Sequence, residues 1–282
     1  MKNQAIKIYS ANHVYKQGIF NIFKGMINNI FNSRELIWRL FLRDFSARYK
    51  QSLLGWAWIF LMPIITMGTF LLLNISGIIR IGQIPVPYPI FGLLGFSLWQ
   101  TLSNGLAILT TSVTGASSMV RDINFPKEAL VISSIGQAIV DFLIRLGLVL
   151  AVYFLYRLSP SILILFFPLY ILPIFLLTLG LGFFTSLMNV IVRDTINFIN
   201  VGMSFFLFLM PIMYTMPEKG FLAQINKYNL IFFLVNTPRD LIITGQLKNP
   251  QEFFLSFLIA IIVFFLGWFF FYISQSKIAE RI

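Results

Sequence analysis

The sequence predicts an all-α integral membrane protein with six transmembrane helices, and two observations support that prediction. Of 282 residues, 58% are hydrophobic and only 11% are charged, whereas about a quarter of the residues in an ordinary soluble domain are charged. Apolar runs of roughly 20 residues or more also recur along the chain, and each can cross a hydrocarbon core about 30 Å thick as a helix. A water-soluble fold of this size could not bury so much apolar surface.

The predicted spans follow one another with short connections between most of them. They cover about Leu53–Ile79, Tyr88–Val113, Leu130–Leu155, Ile162–Val192, Ile196–Tyr214 and Phe253–Ile273. This divides the chain into a cytoplasmic N-terminal segment, residues 1–52, and a six-helix membrane domain, residues 53–282. Basic residues are concentrated in the segments that would face the cytoplasm, a bias that places both termini inside.

Composition also excludes several classes of function. The net charge of +11 does not indicate nucleic acid, because the basic residues cluster beside apolar spans, where anionic lipid headgroups account for them. The chain has no cysteine, which excludes disulfides and thiolate metal sites. The phosphate-binding pattern GxxxxGK[ST] does not occur in the sequence, so that motif cannot hold a nucleotide here. We predict no catalytic, cofactor-binding or metal-binding residues.

An amphipathic helix is predicted just before the first span. Ser33 can cap it, Arg39 and Arg43 recur four residues apart, and apolar side chains from Ile37 onward take the other side. A helix with this pattern lies in the headgroup plane of a membrane, and a soluble packing helix is the alternative. The residues assigned to this interfacial helix are Arg39, Arg43, Asp44, Arg48, Tyr49 and Lys50.

The segment Thr215–Glu252 joins the fifth and sixth spans. It contains the apolar run Leu230–Val235, which is too short to span, and Pro238 followed by a second short apolar stretch. Short apolar pieces broken by proline predict re-entrant half-helices on the outer side of the membrane. A surface hairpin is the alternative.

The third span carries the ionisable residues Asp141 and Arg145, four residues apart on one face of the predicted helix. A charge at the bilayer centre costs roughly 2.5 to 3.5 kcal/mol on insertion scales, so we predict that the two form an intramembrane pair. A proton relay is the alternative, but it lacks a second acidic site in the membrane to receive the proton.

Several motifs together resemble a known family. Residues 43–63 read RDFSARYKQSLLGWAWIFLMP, a basic helix that runs into a Gly-Trp-x-Trp span, and further matching stretches are VRDINFPKEALVISS, FLMPIMY and TPRDLIITG, at residues 120–134, 208–214 and 237–245. From about Ser33 onward the chain resembles the permease subunit of type-2 ABC exporters for O-antigen, capsular polysaccharide and teichoic acid. One departure is Asn229-Leu230, where the family usually has Asn-Pro-Leu.

The resemblance implies a function. It implies the channel-forming subunit of an ATP-driven exporter that moves a lipid-linked, O-antigen-type surface polysaccharide across the bacterial inner membrane. The implied partners are a second copy of the chain, membrane lipids and a separate cytosolic ATPase subunit, which would bind ATP and Mg, so this chain is not itself an enzyme. The alternative, an ion-coupled flippase of lipid-linked oligosaccharide, calls for several titratable groups within the membrane.

The resemblance also implies roles for two sets of residues. A short charged loop corresponds to the coupling helix that contacts the ATPase, with the candidates Met119, Arg121, Asp122, Asn124, Phe125, Pro126, Lys127 and Glu128. Its apolar residues Met119, Val120 and Phe125 would be exposed without a partner, and an ordinary connector is the alternative. The first and fifth spans of two protomers line the channel in the family, with the candidates Trp56, Trp58, Phe60, Phe205, Phe206, Phe208 and Tyr214.

Polar stripes at helical spacing mark two of the spans. They are Ser97, Thr101, Asn104 and Thr111 on the second span, and Asn197, Asn200 and Ser204 on the fifth. Hydrogen bonding between helices is one interpretation. A lumen that receives sugar hydroxyls is the other.

Overall fold

A computed structural model describes residues 19–49, 55, 57–78, 81–217 and 219–278. Every regular element within these ranges is helical, which confirms the all-α prediction. The α-helices are α1 Ile19–Asn32, α2 Arg34–Tyr49, α3 Ala57–Ile75, α4 Tyr88–Thr111, α5 Ser117–Asp122, α6 Glu128–Leu155, α7 Phe167–Ile191, α8 Thr195–Leu209, α9 Phe221–Lys227, α10 Leu230–Thr244 and α11 Pro250–Ser274.

Three helical stretches in the described part of the chain are long and apolar enough to cross a membrane, namely Glu128–Leu155, Ile162–Ile191 and Pro250–Lys277. Helix α4 has 24 residues but carries a polar stripe, and α3 and α8 are apolar but shorter. The 15 residues of α8 extend about 22 Å, less than a hydrocarbon core of about 30 Å. The presence of six spans therefore stays a prediction.

The fifth predicted span is longer than the helix that forms there. Helix α8 ends at Leu209, before the expected end at Tyr214. Met210 has φ −94° and ψ 141°, the extended conformation that a residue before a proline favours. Pro211 therefore ends the helix.

The buried apolar side chains form two clusters. The larger one surrounds α4, where Leu94, Leu98 and Leu102 are almost completely inaccessible to solvent, and includes side chains of α6, α7, α10 and α11. The second joins α1 to the beginning of α6 and the end of α11, with Met26 and Phe271 fully buried. The amphipathic α1 is thus fixed to the bundle by its apolar side.

Helices α7 and α11 approach each other closely at two glycines. A Cβ atom on Gly267 would lie 2.1 Å from the Gly180 carbonyl oxygen, and one on Gly180 would lie 2.6 Å from the Phe264 Cα. Small residues at helix contacts allow this approach in membrane proteins.

Replacing Gly267 by alanine is therefore expected to push α7 and α11 apart and to destabilise the protein by about 1 to 3 kcal/mol. The measurement is the melting temperature of the purified protein in detergent. The matched control is Gly147→Ala on α6, where an added Cβ atom meets nothing within 4 Å, so this change should be neutral or slightly stabilising. Equal losses in the two variants would contradict the prediction.

Two helices, α9 and α10, connect α8 to α11. The expectation that Pro238 would break this segment is wrong, because Pro238 lies inside the continuous α10. The Asn229 side-chain oxygen accepts hydrogen bonds from the amides of Ile231, at 3.1 Å, and Phe232, at 3.4 Å, and Gly245 ends the helix with φ 69°. Asn229 thus caps the helix, although Leu230 follows it where the resemblance implies a proline. Re-entry into the membrane stays a prediction.

Candidate coupling loop and translocation surface

The predicted coupling segment forms α5 and the connector from α5 to α6. Arg121, Asp122 and Asn124 are exposed, as expected for residues that contact a partner. The apolar Ile123 between them is 54% exposed and was not among the predicted residues. Its exposure could have been predicted from the sequence, because Ile123 lies between the polar residues Asp122 and Asn124 on a short loop.

The other apolar residues of the segment are less available than predicted. Val120 is buried, and Met119, Phe125 and Pro126 are half-buried. The argument that Met119, Val120 and Phe125 would be exposed without a partner is therefore wrong. These side chains pack against the second apolar cluster of the bundle, which holds the coupling segment in place.

Lys127 and Glu128 are buried in the structure, so neither side chain offers a surface to a partner. The Lys127 Nζ atom donates to the Ile123 carbonyl oxygen at 3.1 Å and lies 4.3 Å from the centre of the Phe125 ring. Its backbone amide donates to the Gln275 side chain at 3.1 Å. Burial lowers the pKa of the Lys127 ammonium group. Lys127 thus positions the exposed part of the loop and joins it to the end of α11.

Helix α2 forms where the interfacial helix was predicted, but it packs against α6. Leu40 is buried, and a Cβ atom at Gly136 of α6 would lie 2.9 Å from a carbon of the Phe41 ring. Trp38 and Leu42 remain exposed. One apolar side of α2 is therefore covered by protein, and Trp38 and Leu42 are the large apolar side chains that stay exposed among the described residues of this helix.

The basic residues of α2 have different partners. Arg39 forms an exposed ion pair with Glu35 at 2.6 Å. Arg43 pairs with Asp44 at 2.7 Å, and its Nη1 atom lies 3.6 Å from the sulfur of Met119 in α5. Helix α2 therefore touches the predicted coupling segment directly. Lys50 and the Tyr49 side chain lie outside the described residues.

Asp141 of α6 forms an ion pair that the sequence did not reveal. Its Oδ2 atom lies 2.8 Å from Nη1 of Arg48, and the Asn104 amide donates to the same oxygen at 3.4 Å. Arg145 is buried one turn further along α6, and both Asp141 and Arg145 line a cavity of about 300 Å³ together with Trp58. A direct pair between Asp141 and Arg145 stays a prediction. The structure shows a further cation beside Asp141, namely Arg48 of α2.

The predicted channel residues lie mainly on α3 and α8. Trp58, Phe60, Phe205, Phe206 and Phe208 are exposed, Tyr214 is half-buried, and Trp56 lies outside the described residues. No residue of α8 is buried. The two helices meet where the rings of Phe70 and Phe208 stack with centres 6.0 Å apart. We call the exposed sides of these helices the α3–α8 surface.

The two polar stripes have different surroundings. On α4, Ser97 donates to the Leu93 carbonyl at 2.6 Å and Thr101 donates to the Ser97 carbonyl at 3.0 Å, and both side chains are buried. On α8, all three predicted polar residues, Asn197, Asn200 and Ser204, are exposed. Asn104 and Thr111 of the α4 stripe are half-buried. The α4 stripe is therefore mostly covered within the chain, whereas the α8 stripe is exposed to another molecule.

Comparison with known proteins identifies the family of the chain. The chain is similar to the O-antigen export system permease protein RfbA of Klebsiella pneumoniae, at 25% identity over 73% of this chain and 79% of that protein. The protein of the same name from Myxococcus xanthus is also 25% identical, over 67% of this chain and 72% of the relative. The sequence profile of the ABC-2 type transporter family matches residues 35–243, a range that contains all but the first residue of α2, together with the coupling segment and the α3–α8 surface. The chain therefore belongs to the ABC-2 type transporter family, as a multi-pass membrane subunit.

Proposed function

We propose that this chain forms the channel of an ATP-driven exporter that moves a lipid-linked, O-antigen-type polysaccharide across the bacterial inner membrane. The observation that carries the proposal is the α3–α8 surface, which exposes aromatic side chains and the polar stripe of α8 together. Aromatic faces and hydrogen-bonding side chains are the groups that bind sugars. The names of the similar O-antigen export permeases support the same substrate class.

A second copy of the chain completes the channel in this proposal. Helix α8 buries none of its residues within one chain, and Phe198, Val201 and Phe205 are each at least 65% exposed. Contiguous apolar surface of this kind marks an interaction site for protein or for lipid. Two α3–α8 surfaces facing each other would enclose a path lined by aromatic and amide side chains.

Energy enters through a separate cytosolic ATPase in this proposal. The exposed residues Arg121, Asp122, Ile123 and Asn124 form the docking surface, and Lys127 holds it against the bundle. The contact between Arg43 and Met119 connects the same loop to α2. Both termini would lie on this cytoplasmic side.

The test uses cysteine chemistry, because the native chain has no cysteine. In cells that carry Phe205→Cys, a bulky maleimide should stop export of the surface polysaccharide, since the reagent would fill the channel. A bismaleimide should cross-link two copies of the same variant. Immunoblots of the surface polysaccharide and of the cross-linked protein measure the two results.

The matched control is Phe154→Cys on α6, because Phe154 is 83% exposed but lies outside the α3–α8 surface. Its modification should leave export unchanged and should yield no dimer. Normal export from fully modified Phe205→Cys protein would refute the channel assignment.

A further inference from the structure

A cavity of about 840 Å³ opens between α9, α10 and the beginnings of α4 and α11. This α9–α10 cavity is separate from the α3–α8 surface and from the coupling loop, because no residue of either lines it. Its volume falls in the range of small-molecule sites. Four cationic and two acidic side chains line it, together with the carboxamides of Gln83, Gln224, Asn236 and Asn249.

A buried arginine forms part of the cavity wall. Arg239 is 2% exposed, and its Nη1 atom donates to the Ile212 carbonyl oxygen at 2.7 Å. Its guanidinium carbon lies 4.0 Å from the centre of the Phe91 ring. The Nε atom of Arg239 is buried and has no acceptor among the described residues. This wall therefore holds a fixed positive charge with unused donor capacity.

A network of polar side chains extends from this arginine. The Asn236 side-chain oxygen accepts from Arg239, and its amide nitrogen donates to Asp240 at 3.2 Å. The Lys248 ammonium lies 3.5 Å from the same carboxylate. Carboxamide and carboxylate groups held in fixed positions suit a ligand rich in hydroxyl groups, because each hydroxyl both donates and accepts.

The rim of the cavity is polar and positively charged. Apart from Pro85 and Gly220, the exposed lining residues are all charged or carboxamide side chains. Lys219 and Lys227 form no ion pair with an acidic residue in the described part of the chain. A phospholipid bound by its headgroup would need an apolar exit for its acyl chains, whereas the exposed side chains described at this rim are mostly charged or carboxamide groups. This composition favours a water-soluble anion over a phospholipid.

We propose that the α9–α10 cavity binds an acidic saccharide unit. Lys219 and Lys227 would attract its carboxylate or phosphate group, the carboxamides would bind its hydroxyls, and the buried rings of Phe232 and Phe233 would contact its apolar face. The assignment of this saccharide to the exported polymer rests on the proposed function. Binding of the saccharide to the cavity does not depend on that function and can be measured without transport.

The test is calorimetry on the full-length protein in phosphatidylcholine nanodiscs. The probe is a glucuronate-containing hyaluronan tetrasaccharide, and neutral maltotetraose is the uncharged comparison. The acidic probe should bind about ten-fold more tightly than the neutral one. The double variant Lys219→Gln/Lys227→Gln should weaken it by about ten-fold, which corresponds to the loss of roughly 1.4 kcal/mol.

The double variant should fold, because both lysines are exposed. Lys277→Gln, which removes an exposed positive charge remote from the cavity, should leave the affinity unchanged. Equal affinities for the two saccharides, or an unchanged affinity in the double variant, would overturn the proposal. Loss of probe binding in phosphatidylglycerol nanodiscs would also overturn it, by assigning the cavity to a lipid headgroup.

Failure of the cavity proposal is distinguishable from failure of the proposed function. A protein that exports polysaccharide but does not bind the probe would refute the cavity proposal alone. A protein that binds the probe, but whose Phe205→Cys variant still exports polysaccharide after modification, would refute the channel assignment alone.

Discussion

Replacing Asp141 by asparagine is expected to destabilise the protein by about 2 to 3 kcal/mol. Asp141 is 2% exposed and lies 2.8 Å from Arg48, and removal of one partner from a buried ion pair typically costs about 3 to 5 kcal/mol. The Arg48 side chain is 33% exposed, so solvent reduces the cost below that range. The measurement is the melting temperature in detergent, with the amount of folded protein in membranes as a second readout.

A double-mutant cycle tests whether the loss of stability comes from the ion pair between Asp141 and Arg48. Asp141→Asn should cost clearly less in an Arg48→Gln background, with a coupling free energy above about 0.5 kcal/mol. The control is Glu35→Gln, which breaks the ion pair between Glu35 and Arg39 on α2, the helix that also carries Arg48. Both of those side chains are 74% exposed, so this change should have almost no effect on stability.

The same variant also separates the ion pair from a proton relay. If the pair is structural, export by Asp141→Asn protein should fall in proportion to the amount of folded protein. A well-folded variant without export, and with an altered pH dependence, would contradict the structural role and favour the relay.

Replacing Ile123 by aspartate is expected to weaken association with the ATPase subunit by about 30-fold. Ile123 is the exposed large apolar residue of the coupling loop, and we expect it to lie at the centre of the contact, where loss of an anchoring side chain typically costs about 2 kcal/mol or more. Because the side chain is 54% exposed, the fold should tolerate the charge. Affinity can be measured by surface plasmon resonance between the ATPase and the permease in nanodiscs.

The matched control is Ile123→Leu, which keeps the apolar contact and should retain the affinity within about two-fold. Export and stimulation of ATP hydrolysis should follow the affinity in both variants. An unchanged affinity for Ile123→Asp would refute the docking surface proposed for residues 121–124.

Many helices could be predicted from the sequence because their signals are local. The apolar runs that form α6, α7 and α11 identify themselves by composition and length. The amphipathic pattern before the first span predicted the helix α2, and the charged loop after the second predicted the exposed residues Arg121, Asp122 and Asn124. The motifs of the ABC-2 family are also short stretches of sequence, so the family could be identified without the fold.

Other predictions failed because burial depends on neighbours that are distant in the sequence. The position of Met119 and Val120 on a short charged loop predicts that both are exposed. In the structure they pack in the second apolar cluster, where Val120 is buried and Met119 is half-buried. Lys127 is a charged loop residue of the kind that often contacts a partner, but its side chain is buried beside Phe125, and its backbone amide bonds to Gln275 at the end of α11. Pro238 marks a break in a sequence pattern, whereas α10 continues through it within a packed bundle.

The sequence by itself determined that this protein is a helical membrane protein of the ABC-2 family, because hydrophobicity and motif spacing are properties of short segments. The tertiary structure alone decided that Asp141 pairs with Arg48, which is 93 residues away. It also decided that α3 and α8 meet at the rings of Phe70 and Phe208, and that α4, α9, α10 and α11 line a cationic cavity. These features arise from the way helices pack side by side, and no local pattern specifies which helices become neighbours.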